Sequence, residues 1–157
     1  MSERKMIYLC LAHMSENGME QKYVQEAFDT NWVVPMGPNV NGFEKDLEGF
    51  VNGRCPIKSG MTEKEPLDRK VVCLSAGTAA VHLALIACGV KAGDEVLVQS
   101  FTFCASSHPI TYLGAKPVFV DSERETWNMD PELLEKAIIE RKEVTGRYPK
   151  AIIPVAL

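Results

Sequence analysis

VVCLSAGTAAVHLALIACG, residues 71–89, sets the pattern for the rest of the chain. Val71–Leu74 is a short apolar run of the kind found in a strand buried on both faces. The small residues Ser75, Ala76, Gly77 and Thr78 form a turn, and a helix follows to about Cys88, ended by Gly89. The unit then repeats. Lys91–Asp94 is a turn and EVLVQ (95–99) the next strand. A helix over roughly 104–113, kinked or started by Pro109 and closed by Gly114, leads to the strand KPVFVD (116–121). Asp130-Pro131 supplies an N-cap and a proline at the first helical position, opening a helix to about Val144. AIIPV (151–155) is the last strand. This β-α-β-α-β-α-β order predicts an α/β fold, a mostly parallel sheet with helices on both faces. The sequence stops at Leu157 with no residues left for a covering helix, so the expected architecture is incomplete at the C-terminus.

Upstream the reading is helical. Residues 6–12 form a short extended segment. Met19, Tyr23, Val24, Ala27 and Phe28 recur at helical spacing between Gly18 and Thr30. The loop Asn31–Pro38 is stiffened by Pro35, Gly37 and Pro38. A second amphipathic helix places Val40, Phe43, Leu47 and Phe50 on one face. Residues 52–70 are polar, charged and rich in breakers, as in a surface loop. The expected division is a helical arm with its loop over 1–52, a surface insertion over 53–70 and an α/β domain over 71–157.

The 157 residues are 46% apolar and 24% charged, with a net charge of −4 and no basic stripe. That balance argues against a nucleic-acid partner, since such binding rests on neutralising phosphates. No apolar run approaches the roughly 20 residues of a membrane helix. The five cysteines (10, 55, 73, 88, 104) show no C-x-x-C spacing and give no metal site. Cys73 and Cys88, among apolar neighbours, read as buried thiols of a reduced, cytoplasmic protein.

Two junctions could carry chemistry. The first is Leu74–Ala80, where small residues admit a ligand to the backbone and the helix start offers free N–H donors at its positive dipole end. Thr78 adds a hydroxyl. The competing reading is that Ser75 and Thr78 only cap the helix. Neither the P-loop nor the dinucleotide fingerprint is present. The second is Gln99–Ala105, at the carboxyl edge where open α/β sheets bind ligands. Phe101 and Phe103 there could face a planar ligand or fill the core. Asp121 and Asp130 read as structural, His82 as a packed histidine, and His108 stays ambiguous.

In order along the chain, SAGTAAVHLAL (75–85), GDEVLVQSFTF (93–103) and GAKPVFVD (114–121) resemble the DegT family of sugar aminotransferases. These are fold-type I enzymes dependent on pyridoxal 5′-phosphate (PLP). Asn31-Trp32, Gly37-Pro38 and Phe43-Glu44 resemble the family's N-terminal loop and helix, and Ala151–Val155 the strand before its cofactor-ring contacts. The resemblance implies that Gly77, Thr78 and Ala79 hold the PLP phosphate and that Phe103 stacks on the pyridine ring. Trp32, Pro35 and Gly37 would lie near the sugar-nucleotide entrance or a homodimer contact. Gln99 stands where the family commonly has proline, and 52–70 is longer than the usual link. The implied reaction moves an amino group, usually from glutamate, to a keto-sugar nucleotide.

The lysine that binds the cofactor and the acid facing its ring nitrogen are expected beyond Leu157. No catalytic residue is therefore assigned, and 157 residues alone are expected to be inactive, as a truncated part of such an enzyme. Two alternatives stay open on the sequence: a lysine-free sugar dehydratase relative, and a non-catalytic interaction module that keeps the family's dimer surface.

Overall fold

The strand EVLVQ lies at the centre of the sheet. In the computed structural model, which describes residues 14–54 and 69–156, β1 (Glu95–Gln99) is flanked by β2 (Lys116–Val120) and β3 (Ala151–Ile153). All pairings are parallel, in the order β2-β1-β3, with Leu97 opposite Val118 on one side and Ile152 on the other. Around the sheet run α3 (Gly77–Ala87), a single 3₁₀ turn (Cys104–Ser106), α4 (His108–Tyr112) and α5 (Pro131–Thr145). Before them come α1 (Met19–Asp29) and α2 (Pro38–Arg54). The chain divides into two compact units, Met1–Cys73 and Leu74–Leu157.

Alternation along β1 decides which helix covers which face. Val96 and Val98 join Leu85 of α3, Ile110 of α4, Val90 and Ala115 in one buried cluster. Leu97 points the other way and is also fully buried. On its face, Glu95 receives a bidentate grip from Arg141 of α5, whose Nε and Nη2 donate to the two carboxylate oxygens at 2.8 and 2.7 Å. The connections are tight. Gly93 N–H donates to the Gly114 carbonyl at 3.0 Å, and Gly114 sits at φ +68° where a Cβ would come within 3.1 Å of Ala92. Asp130 caps α5 as expected, accepting from the backbone N–H of Glu132 and Leu133 at 2.8 and 3.1 Å.

Three expectations need correction. The helix over 104–113 divides at Ser107 into the 3₁₀ turn and α4, with Pro109 near the start of the latter. Cys88 is exposed and Cys73 only half-buried, because Cys88 falls at the C-cap of α3, where the chain turns out of the helix. The third is Val71–Leu74, which joins no strand ladder, and Val72 is 66% exposed. An apolar run declares a preference for burial and does not name a neighbour. The expected segment 6–12 and most of the 53–70 insertion lie outside the described residues.

In the first unit α2 takes the part of a neighbouring strand. Cys73 N–H donates to Glu44 Oε1 at 2.7 Å and Val71 N–H to Glu48 Oε1 at 3.1 Å. Asn52 then bonds both the N–H and the carbonyl of Arg69 at 3.1 Å. Residues four apart on a helix rise about 6 Å, and residues two apart on an extended chain about 6.6 Å. Side chains at 44, 48 and 52 therefore match backbone groups at 73, 71 and 69. The apolar face of α2 is only partly covered within this unit, with Phe43 at 57% and Phe50 at 55% exposure.

Three outcomes follow from these contacts. Leu97→Ala, at a fully buried site, is expected to cost about 2–5 kcal/mol in urea unfolding. The Arg141 hydrogen bonds hold the Glu95 carboxyl below its ordinary value. Its stabilisation is thus complete above the unfolded carboxyl value of about 4.3 and fades as pH falls through the lower folded value. Glu95→Gln should lower the melting temperature at pH 7 and flatten that acid limb; an unchanged limb would contradict the clamp. At Cys73, burial and then the Glu44 carboxylate push the thiol above its ordinary value. Iodoacetamide at pH 8 should label it more slowly than Cys88 or Cys104, and Glu44→Gln should narrow the gap.

Candidate functional site

Helix α3 begins without a cap. Its N-cap is Ala76, in extended conformation, and no side chain bonds the first turn. Ala79 and Ala80 N–H both reach the Ala76 carbonyl, at 3.0 and 3.2 Å. That leaves the N–H groups of Gly77 and Thr78 and the Thr78 hydroxyl with no hydrogen-bond partner among the described residues. The capping role considered for Ser75 and Thr78 is therefore not what the structure shows. No acidic side chain stands in this first turn, and a Cβ built on Gly77 would meet nothing within 4 Å. The result is an open cluster of donors at the positive end of an 11-residue helix.

The carboxyl edge of the sheet supplies the neighbours. β1 connects to β2 on one side and the chain returns to β3 on the other, so the direction of crossing reverses at β1. In open α/β sheets the crevice outside such a reversal is where ligands bind. The loop leaving β1 carries Phe103, a residue 83% exposed. The turn directly after it, Cys104–Ser106, packs against α3. Its shape is held by Ser106 N–H donating to the Phe103 carbonyl at 2.9 Å and by a 2.8 Å bond between the Thr102 and Ser106 hydroxyls. Helix α3, whose first turn holds Gly77, Thr78 and Ala79, thus packs against the 3₁₀ turn that follows Phe103. A phosphate needs N–H and O–H donors without a competing carboxylate, and a planar ring needs a free aromatic face. Both are present, so the residues fit PLP.

Trp32, Pro35 and Gly37 belong to the first unit. Gly37, at φ +142°, lies under the Trp32 ring, where a Cβ would come within 3.1 Å of Cε3. Trp32 and Gly37 line a recess of about 380 Å³ together with Tyr23, Ala27 and Val40. Pro35 is exposed and does not line it. His82 is half-buried and edge-on to Tyr112 at 5.6 Å, the packed role read from its neighbours. Among the described residues, no group of three or more His, Cys, Asp or Glu is placed to hold a metal, and no helix is long and apolar enough to cross a membrane.

Sequence reasoning missed a second group at the same edge. Gln99 ends β1 fully buried, and Trp127, at φ +64°, packs its ring on Phe101 at 5.4 Å. Asp121 accepts from Ser122 N–H at 2.8 Å and from the Ser100 hydroxyl at 2.9 Å, which hold its carboxyl below the ordinary value. The available signal was the polar residue closing EVLVQ on the same face as the buried Leu97.

Comparison with known proteins gives the family. Residues 14–157 match the DegT/DnrJ/EryC1/StrS aminotransferase family. The chain is 47% identical over 153 residues to EpsN of Bacillus subtilis, covering 98% of this chain and 35% of that protein. It is 38% identical over 141 residues to GDP-perosamine synthase of Caulobacter vibrioides, covering 90% and 32%. Spr1654 of Streptococcus pneumoniae, solved in its PLP form, superposes with a TM-score of 0.57 and 35% identity over 75% of this chain and 27% of that one. The chain spans about a third of the length of the curated relatives it matches. With an uncapped start to α3 and a parallel sheet in the order β2-β1-β3, this chain belongs to the DegT/DnrJ/EryC1/StrS aminotransferase family.

Proposed function

We propose that this chain supplies the phosphate-binding turn and the ring-stacking aromatic of a PLP-dependent aminotransferase that acts on a keto-sugar nucleotide with glutamate as amino donor. The observation that carries the reading is the donor set of Gly77 and Thr78, without partners among the described residues, at the start of the helix that packs on the turn after Phe103. The sugar-nucleotide substrate is supported by the relative named GDP-perosamine synthase. Bound PLP supplies an electron sink for amino transfer. This chain's residues would hold it. The N–H groups of Gly77 and Thr78 and the Thr78 hydroxyl would donate to phosphate oxygens, with Ala79 beside them in the first turn. The Phe103 ring would stack on the cofactor ring and keep water from it. We assign 71–157 to this cofactor-binding part and the Trp32–Gly37 recess to the substrate side. We read the whole enzyme as a cytoplasmic homodimer, a compartment that the free Cys73, Cys88 and Cys104 support.

Gly77→Glu separates binding from folding. A Cβ at this position meets no atom within 4 Å, and the added carboxylate stands at a helix start, where a negative charge is favourable. The variant should melt no lower than the parent chain. It should bind PLP about tenfold more weakly or worse, since one charge-assisted hydrogen bond contributes about 1.5–3 kcal/mol. A fluorescence titration with PLP checks this, and equal affinity for the two chains would remove the phosphate assignment. For the substrate, incubating the enzyme with glutamate and keto-sugar nucleotides should yield an amino-sugar nucleotide by mass spectrometry. PLP binding without amination of any keto-sugar nucleotide would leave the cofactor assignment and overturn the substrate.

A further inference from the structure

Gln99 is fully buried at the carboxyl end of β1, and its carboxamide is satisfied on both sides. Nε2 donates to the Trp127 carbonyl at 2.8 Å and to the Ser122 hydroxyl at 3.1 Å. Oε1 accepts the Val155 N–H at 3.1 Å. One side chain thus joins the loop after β2 to the segment that leaves β3. Trp127 needs such a hold, because φ +64° is a left-handed conformation that a bulky residue rarely adopts unless its surroundings impose it. Its ring lies 5.4 Å from Phe101, tilted by 50°. Phe101 belongs to the loop that presents Phe103. The two rings, with Ser100, Asp121 and Arg124, line a recess of about 540 Å³.

We propose that Gln99 is a positioning residue whose buried carboxamide holds Trp127 against Phe101, and so builds the aromatic wall of this recess and steadies the loop that carries Phe103. The chemistry is specific to an amide. A donor is required toward the Trp127 carbonyl and an acceptor toward Val155 N–H, and a carboxamide presents both from one group. An ionised carboxylate accepts but cannot donate, and leucine does neither. Proline does neither.

The test reads Trp127 directly and needs no cofactor. The chain has two tryptophans, so Trp32→Phe, excited where tyrosine does not absorb, leaves Trp127 as the sole emitter. In that background Gln99→Glu should red-shift the emission at pH 8 and make it more easily quenched by acrylamide, because the carboxylate repels the Trp127 carbonyl. As pH falls the carboxyl gains a proton and can donate again. The emission should return toward the parent's, with a midpoint above the free Glu value of about 4.3, since burial disfavours the charge. The parent should stay flat over the same range once folding is verified by far-ultraviolet circular dichroism. Gln99→Leu should be shifted at every pH with no return. If that variant does not fold, the reversible change in Gln99→Glu still decides the matter. Parent-like emission from Gln99→Glu at pH 8, or a shift there that acid does not reverse while the fold persists, would overturn the proposal. The link to Phe103's ligand rests on the cofactor reading, and a PLP titration of the unmodified chain keeps the two apart. A Trp127 response without any PLP binding would sink the cofactor reading alone.

Discussion

The second unit depends on satisfying the backbone of β1. Val96, Leu97, Val98 and Gln99 are fully buried, so each of their N–H and carbonyl groups must find a protein partner. A strand at an edge cannot meet that demand, which is why β1 is paired along both sides and why the helices sit where they do. Lys116 N–H donates to the Asp94 carbonyl and Lys150 N–H to the Glu95 carbonyl, carrying the pairing to the strand's amino end. Ser100 N–H donates to the Val120 carbonyl and extends it at the other end. On one face the side chains repeat the theme. Glu95, Leu97 and Gln99 share that face, and each fixes a different neighbour: Arg141 of α5, the apolar filling, and the loops of Trp127 and Val155.

The two clamps on this face differ in kind, and the difference matters electrostatically. At the amino end the clamp is ionic, a half-buried Glu95–Arg141 pair that closes at 2.7 Å. At the carboxyl end it is a neutral amide. A carboxylate buried at position 99 would bring an unpaired negative charge to the edge assigned to an anionic cofactor, where the low dielectric strengthens repulsion. An amide makes comparable bonds without that field.

Much of this was legible in the residues, and the misses have a common cause. EVLVQ, KPVFVD and AIIPV announce parallel strands because continuous apolar runs bounded by turns have few other uses, although of the three only β1 is buried along most of its length. Asp130-Pro131 announces a helix start because capping is local chemistry. What failed was whatever required knowing a remote partner. Val71–Leu74 looks like its sister strands, yet its bonds go to Glu44 and Glu48, which precede it by more than twenty residues. Nothing in either segment alone reveals that a helix and an extended chain will share a repeat of about 6 Å. The exposure of Cys88 and the position of Trp127 likewise follow from how the chain turns after an element ends. At the site, the absence of a cap could be decided only from the bonds themselves.

That missing cap is the feature on which the proposed phosphate site rests. Helices α3 and α5 flank the same sheet, yet their starts are built oppositely. Asp130 occupies two of the first N–H groups of α5, and Glu132 adds a second negative charge to its first turn. Ala76 does neither for α3, although serine or aspartate there would be worth about 1 kcal/mol. The chain thus forgoes a common stabilisation at one helix and takes it at the next. A phosphate seated on Gly77 and Thr78 would return more than was forgone, since hydrogen bonds to a charged group contribute about 1.5–3 kcal/mol each. The apo chain should therefore be the less stable form, with the cofactor completing the start of α3 as Asp130 completes that of α5.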